Sequence, residues 1–223
     1  MSVISELEKR VSIRAFKDTP VSQDLLNEIF SNAQLAPSNC NVQPWETYVV
    51  SGEKKDALKQ ALLAELMKGQ GPQPDFNWSV KYQGVHRERQ FGSANALYSA
   101  MGIAREDKGA RQRAMAKNWE FFGAPHAAFL SMPETMHRAN AVDMGIFLQT
   151  FMLLLVERGL ASCPQGALAA YPGPVKRIAK VPEGNAILCG LSFGYPDHSA
   201  KINEVNMNRE SVASISSITT SVA

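Results

Sequence analysis

Apolar positions along this chain change period several times, and each change predicts an element. Val11, Ile13 and Ala15 alternate with Arg10, Ser12 and Arg14, which is strand spacing and sets two arginines and a hydroxyl on one side. A short helix over residues 2–9 precedes them. Ser22 is placed to cap a helix, with Val21 and Leu26 spaced as a hydrophobic staple and Leu25, Leu26, Ile29, Phe30 and Ala33 as its apolar stripe. Trp45 to Val50 is aromatic and β-branched and reads as a strand; residues 54–67 follow at helical spacing. Residues 69–84 form a long loop holding Phe76, Trp78 and Tyr82, and residues 86–118 read as helix interrupted by Gly92, Gly102 and Gly109. Ala127 to Met132 is a strand. Residues 140–158 are apolar nearly all round, so this helix is expected to be central or packed on a partner, ending at Gly159. Residues 161–166 read as a short polar loop. Pro174 opens a helix that stops before Pro182, and the near-continuous apolar run Ala186–Phe193 reads as a strand buried on both faces. Residues 214–223 read as a frayed Ser/Thr-rich tail. Helices and strands mix without regular alternation, so the expected class is α+β, one domain over 1–223 with an excursion or lid at 69–118.

One stretch concentrates polar, uncharged groups. Ala36-Pro37-Ser38-Asn39-Cys40-Asn41-Val42-Gln43-Pro44-Trp45 is fenced by two prolines, which bias their predecessors toward extended backbone. Ser38, Asn39, Asn41 and Gln43 donate and accept hydrogen bonds without carrying charge, which suits either an ordinary turn or a loop gripping a polar, flat or phosphorylated ligand. The arginines of 10–14 suit either an exposed strand face or an anion, for which a guanidinium fork is well shaped.

Charge and composition narrow the classes. A net charge of +2 gives no reason to expect nucleic-acid binding, and 45% hydrophobic residues are enough for a sizeable core. Three cysteines, Cys40, Cys163 and Cys189, have no CxxC spacing, so neither a disulfide framework nor a zinc site is expected. The four histidines include no H-x-x-x-H pair, and no metal is expected. Residues 1–10 lack the apolar run of a signal peptide, and the uncharged run Met144–Val156 is short for a membrane span, so the expectation is a cytoplasmic protein with no membrane association. G-x-G-x-x-G, P-loop and G-x-S-x-G motifs are absent, and Cys163 reads as a small buried or loop thiol. An anion site and two polar loops without a catalytic constellation point to reactivity borrowed from a cofactor.

The ordered set Arg10-x-Ser12-x-Arg14-x-Phe16, Ala36-Pro37-Ser38-x-x-Asn41-x-Gln43-Pro44-Trp45, Gly194-Tyr195-Pro196 and Arg209 resembles the nitroreductase family of FMN-dependent enzymes. Phe121-Phe122-x-Ala124-Pro125, Asp143-Met144-Gly145 and Cys163-Pro164-Gln165 resemble its nitrobenzoate-reductase-like branch. The resemblance implies a central, mostly antiparallel sheet flanked by helices in an intertwined homodimer with two shared FMN sites. It implies that Arg10, Ser12, Arg14 and Arg209 hold the FMN phosphate and ribityl chain. Pro37, Ser38, Asn39, Asn41 and Gln43 would reach the flavin of the neighbouring protomer, and Pro164, Gln165 and Gly166 would lie along the ring edge near N5. Many family members carry an acidic residue where this chain has Gln165.

The implied activity is a ping-pong hydride transfer from NAD(P)H through flavin N5 to a nitroaromatic, quinone or similar electron-poor acceptor. Trp78, Tyr82, Phe121 and Phe122 are candidates for the acceptor pocket. The alternatives are a flavin-binding storage or sensor protein without turnover, and another flavin reaction on the same scaffold, such as dehalogenation or enoate reduction.

Overall fold

The computed structural model describes residues 2–77 and 80–216, the side chain of Ile215 excepted. Among these residues, β1 (Glu46–Ser51), β2 (His126–Pro133), β3 (Ala161–Gln165) and β4 (Asn185–Gly194) form one antiparallel sheet in the order β1-β2-β4-β3. β2 faces both β1 and β4, with Glu46 opposite Ser131 and His126 opposite Phe193. The ladder slips by one residue between Leu130 and Ser131, a bulge that bends the strand. Among the described residues eight α-helices surround the sheet: α1 (Val3–Lys9), α2 (Gln23–Ala33), α3 (Gly52–Met67), α4 (Gly84–Ala100), α5 (Lys108–Ala116), α6 (Arg138–Glu157), α7 (Pro172–Ala179) and α8 (Val212–Ile215).

The period-two pattern of β2 sends its side chains into two cores. Ala128, Leu130 and Met132 pack with α2 and α6 on one face; Ala127 and Phe129 pack with α3 and α7 on the other. Ser22 caps α2 by accepting from the Leu25 N–H at 3.3 Å, and Val21 and Leu26 are buried in one cluster, as a staple requires. In α6, Phe147 stacks on Trp45 at 4.9 Å between centroids, and Phe151 lies 4.6 Å from Phe30 and edge-on to Phe193. Each such burial contributes roughly 1.5–3 kcal/mol. By length and hydropathy α6 would suffice to cross a membrane. Its Phe147, Phe151 and Leu155 are buried in the core, however, and its other apolar side is open, with Val142 64% exposed. The helix ends where Gly159 takes φ 72°, with its N–H bonded to Val156 O and the Leu160 N–H to Leu155 O at 2.9 Å, a Schellman turn.

Three expectations need correction. Residues 10–16 are extended but join the sheet only through single bridges, Ser12 to Ser162 and Phe16 to Pro196. Residues 161–165, expected as a loop, are strand β3; Pro164 is tolerated there because it lies at the sheet's margin, where a missing N–H breaks no central ladder. Residues 86–118 are two helices, α4 and α5, parted after Ala100 where Gly102 takes φ 65°.

Candidate functional site

The arginine segment is held from two sides. The Ile13 N–H donates to Ser162 O at 3.0 Å, which seats the segment beside β3. Asn203 seats it from the tail: its Oδ1 accepts from the Arg14 N–H at 2.7 Å, and its Nδ2 donates to Ala15 O at 2.8 Å. The tail then runs back over the same segment. Arg10, Ser12 and Arg14, with Gln149 of α6 and Arg209 of the tail, line a cavity of about 670 Å³.

Among the described residues none of Arg10, Arg14 and Arg209 forms an ion pair. Glu8 lies on the cavity wall but is exposed and unpaired. Arg14 donates to Ser12 O at 3.2 Å and Arg209 to Met207 O at 2.7 Å, backbone contacts that orient the guanidiniums without neutralising them. Burial first, and the Arg209 charge second, hold Arg10 below the ordinary arginine range. Repelling cations gathered around one cavity are complementary to a multiply charged anion.

Arg14 also lines a second pocket, of about 290 Å³, walled by Leu97, Met101, Met115, Phe122 and Ile202, with Lys117 and Asn118 at its polar end. β3 braces that polar end. The Gln165 side chain, 4% exposed, donates to Asn118 O at 3.0 Å and to its Oδ1 at 3.2 Å, and accepts from Ser192 Oγ at 2.5 Å. Trp119 adds a bond from its indole N–H to Ala167 O at 3.1 Å.

The 36–45 stretch lines neither cavity. Pro37, Asn39, Asn41 and Gln43 are exposed and Ser38 is half-buried. The loop is nonetheless shaped: Cys40, Asn41 and Gln43 take φ of 49°, 54° and 46°, a left-handed conformation that costs non-glycine residues energy. Besides its own turn bonds, two backbone N–H groups are held by side-chain acceptors, Asn39 N–H by Asp143 Oδ1 at 3.0 Å and Gln43 N–H by Ser38 Oγ at 2.9 Å. Neutral amide groups are thus presented outward by a strained, pinned loop.

The remaining candidates divide. Pro164 is half-buried and Gly166 exposed, flanking the inward-turned Gln165. Phe122 lines the apolar pocket, but Phe121 does not: it is fully buried, edge-on to Phe129 at 6.4 Å between centroids. Tyr82 is 45% exposed and lines neither cavity, and Trp78 lies outside the described residues. Sequence reasoning missed Asn203, Asn118 and Lys117. None carries a local signal: Asn203 and Asn118 gain their places from long-range hydrogen bonds, and Lys117 from the fold that brings it to the pocket beside Arg14.

The Nitroreductase family model matches residues 7–195. The chain is 36% identical to a 4-nitrobenzoate reductase of Pseudomonas putida over 90% of its own length and 88% of the relative's. It is 38% identical to nitroreductase NfnB of Mycolicibacterium smegmatis over 91% and 86%. Among solved structures, the FMN and NADPH-dependent nitroreductase NfnB from Sphigopyxis sp. strain HMH superposes with a TM-score of 0.95 at 37% identity, covering 99% of this chain and 100% of that one. The FMN-dependent NfnB from Mycobacterium smegmatis in complex with NADPH superposes with a TM-score of 0.93 at 35% identity, covering 98% and 100%. With the antiparallel sheet, its flanking helices and the arginine cavity in place, these matches make the chain a member of the nitroreductase family.

Proposed function

We propose that this protein is an FMN-dependent oxidoreductase that moves hydride from NAD(P)H to nitroaromatics, quinones or similar electron-poor small molecules. The observation that carries the reading is Arg14, shared between an anion cavity with no paired counter-charge and an adjoining apolar pocket. A ligand with a phosphate at one end and a flat ring at the other matches that pair of cavities. The FMN phosphate carries a charge of about −2, against three guanidiniums. Arg10, Ser12, Arg14 and Arg209 would hold the phosphate and ribityl chain. Bound FMN supplies the two-electron redox chemistry, and the chain's own residues bind, orient and exclude water. Leu97, Met101, Met115 and Phe122 supply the dry wall. Pro164 and Gly166 would approach the ring edge through backbone, as would Gln165, whose side chain is already committed to Asn118 and Ser192.

The protein would work as a homodimer. α1 and α6 leave Val3, Ile4, Leu7, Val142 and Ile146 exposed, and Leu35 is 83% exposed beside the pinned loop. Such an apolar face fits a second copy of the chain, which would bring Pro37, Ser38, Asn39, Asn41 and Gln43 to its neighbour's cavity. A cytoplasmic location agrees with three unbridged thiols; burial raises those of Cys163 and Cys189 to about 11 and about 12, which keeps them unreactive.

The visible spectrum of the purified protein, followed by anaerobic titration with NADPH and NADH, tests the reading. A yellow protein that bleaches and recovers its colour with a nitroarene is expected. Arg209→Ala should weaken FMN binding by about 1.5–3 kcal/mol, the scale of a hydrogen bond to a charged group. A colourless preparation that takes up no FMN overturns the proposal. A yellow one that neither nicotinamide bleaches makes the chain a flavin carrier instead.

A further inference from the structure

α4 is weakly anchored. None of its residues is buried, no side chain caps its first turn, and left-handed glycines stand at its two ends, Gly84 at φ 52° and Gly102 at φ 65°. Yet Ala94, Leu97 and Tyr98 of this helix wall the apolar pocket. α5 supplies Ala114 and Met115 to the same pocket and sends Arg111 over the Tyr98 ring at 4.7 Å, and it too has no buried residue.

The tail reaches α4 at two points. Its 3-10 turn Lys201–Glu204 lies against the helix, with Ile202 lining the apolar pocket. Farther on, Glu210 receives the Arg89 guanidinium at 3.2 Å. Between those points the same tail crosses the anion cavity, which Val205, Met207 and Arg209 line. Asn203 fixes the near end of the crossing through Arg14, Ala15 and Asp197 O, the last at 2.9 Å. Beyond it, residues 205–210 make no backbone–backbone hydrogen bond among the described residues, so side chains hold this stretch. Arg209 donates to Met207 O and Asn208 O beside it, and its charge repels that of Arg10.

We propose that Arg89 and Glu210 are positioning residues that tie α4 to the tail, so that an anion held by Arg209 also fixes the α4 wall of the apolar pocket. This tie rests on the FMN reading above and deepens it by coupling the two cavities. A phosphate between Arg10 and Arg209 replaces their repulsion with attraction to a shared anion. Glu210 is the next residue, so drawing Arg209 over the cavity keeps the carboxylate on Arg89. An exposed ion pair is weak, and it decides position only where little else does. An ordinary surface pair joins segments that packing has already fixed; neither α4 nor residues 205–210 are fixed in that way.

Hydrogen–deuterium exchange of the α4 amides, in flavin-stripped and FMN-loaded protein, tests the tie. FMN should slow exchange in wild-type α4. In FMN-loaded Arg89→Gln and Glu210→Gln those amides should exchange about two- to fivefold faster, the scale of an exposed ion pair. FMN affinity should fall by a similar factor, because coupling between sites is reciprocal. Both side chains are solvent-exposed, so the fold tolerates the changes, and retained yellow colour checks the loading. The charge swap Arg89→Glu/Glu210→Arg should restore slow exchange and affinity together, which a local packing defect would not do. Equal α4 exchange in wild type and the single variants, or a swap no better than either single change, overturns the tie and leaves a yellow, reducible enzyme standing. A wild type that takes up no FMN sinks the cofactor reading and the tie with it.

Discussion

His126 opens β2 with 3% of its surface exposed and its ring stacked on Phe193. Its Nε2 accepts from the Val21 N–H at 2.9 Å, so that nitrogen carries no proton, and in the neutral ring Nδ1 donates to Ser51 Oγ. Burial first, and Lys55 second, lower its pKa below the ordinary 6.5. The unfolded chain therefore binds a proton below about pH 6.5 that the folded chain refuses. The stability is complete above that pH and is lost on acidification, at up to about 1.4 kcal/mol per pH unit. Thermal melts from pH 7.5 to 5 should show the fall, and His126→Gln, less stable at neutral pH, should show a flatter profile. A variant as steep as wild type would assign the acid sensitivity elsewhere. Asp143 is the second buried group to test. Its Oδ1 pins Asn39 while its Oδ2 is buried without a hydrogen-bond partner. Asp143→Ala removes the anchor and the orphan together, so the melting temperature should move little, whereas the strained loop is released and FMN affinity should drop. Asp143→Asn keeps an acceptor for the Asn39 N–H and should retain most of that affinity. Equal flavin affinity in all three proteins would show that the loop does not need its pin.

At the scale of elements, β3 is where sequence reading and structure part company. Ser162, Pro164 and Gln165 look like loop residues because a polar run with a proline carries no local strand pattern. They form a strand because β4 on one side and Ser12 on the other supply partners from far along the chain. The arginine segment shows the converse: its alternation is real, but alternation alone does not provide a neighbour along its whole length. Phe121 and Phe122 are adjacent and identical in type, and only tertiary packing sends one to the core and the other to the pocket. Helices α2 and α6 were legible, since cap, staple and C-terminal glycine all act within a few residues. β3 also makes a sharper prediction than a nearby charge would. Because Gln165 donates to two oxygens of Asn118, Gln165→Glu turns a carboxylate against them and should cost about 1–3 kcal/mol at pH 7. Protonation would restore a donor, so the deficit should shrink as pH falls toward 5. A deficit independent of pH would mean that the clamp on Asn118 is not what the substitution breaks.

For the whole molecule, the arginine cavity and the pinned loop are separate on one protomer, and the proposed dimer unites them across two. Arg10→Glu and Asn41→Lys should each abolish activity as homodimers. In a mixed dimer one site collects both lesions and the other neither, so random re-association should return about a quarter of wild-type activity. Tandem purification of differently tagged chains isolates the mixed species; a folded heterodimer without flavin or turnover would place both residues in one site of one chain.

The pairing of β1 with β2 has a consequence for how the chain is built and altered. Residues 52–125, with all of α3, α4 and α5, are closed off between two neighbouring strands. Closing so long a loop slows folding, because that pairing forms only after a wide conformational search. Once closed, the loop is cheap to resize, since doubling its length adds only about 0.6 kcal/mol of closure entropy. The arginine segment, β3 and the tail lie outside this loop. The wall of the apolar pocket is largely inside it. Exchanging α4 and α5 between homologous chains should therefore transplant the choice of acceptor while the sheet refolds unchanged.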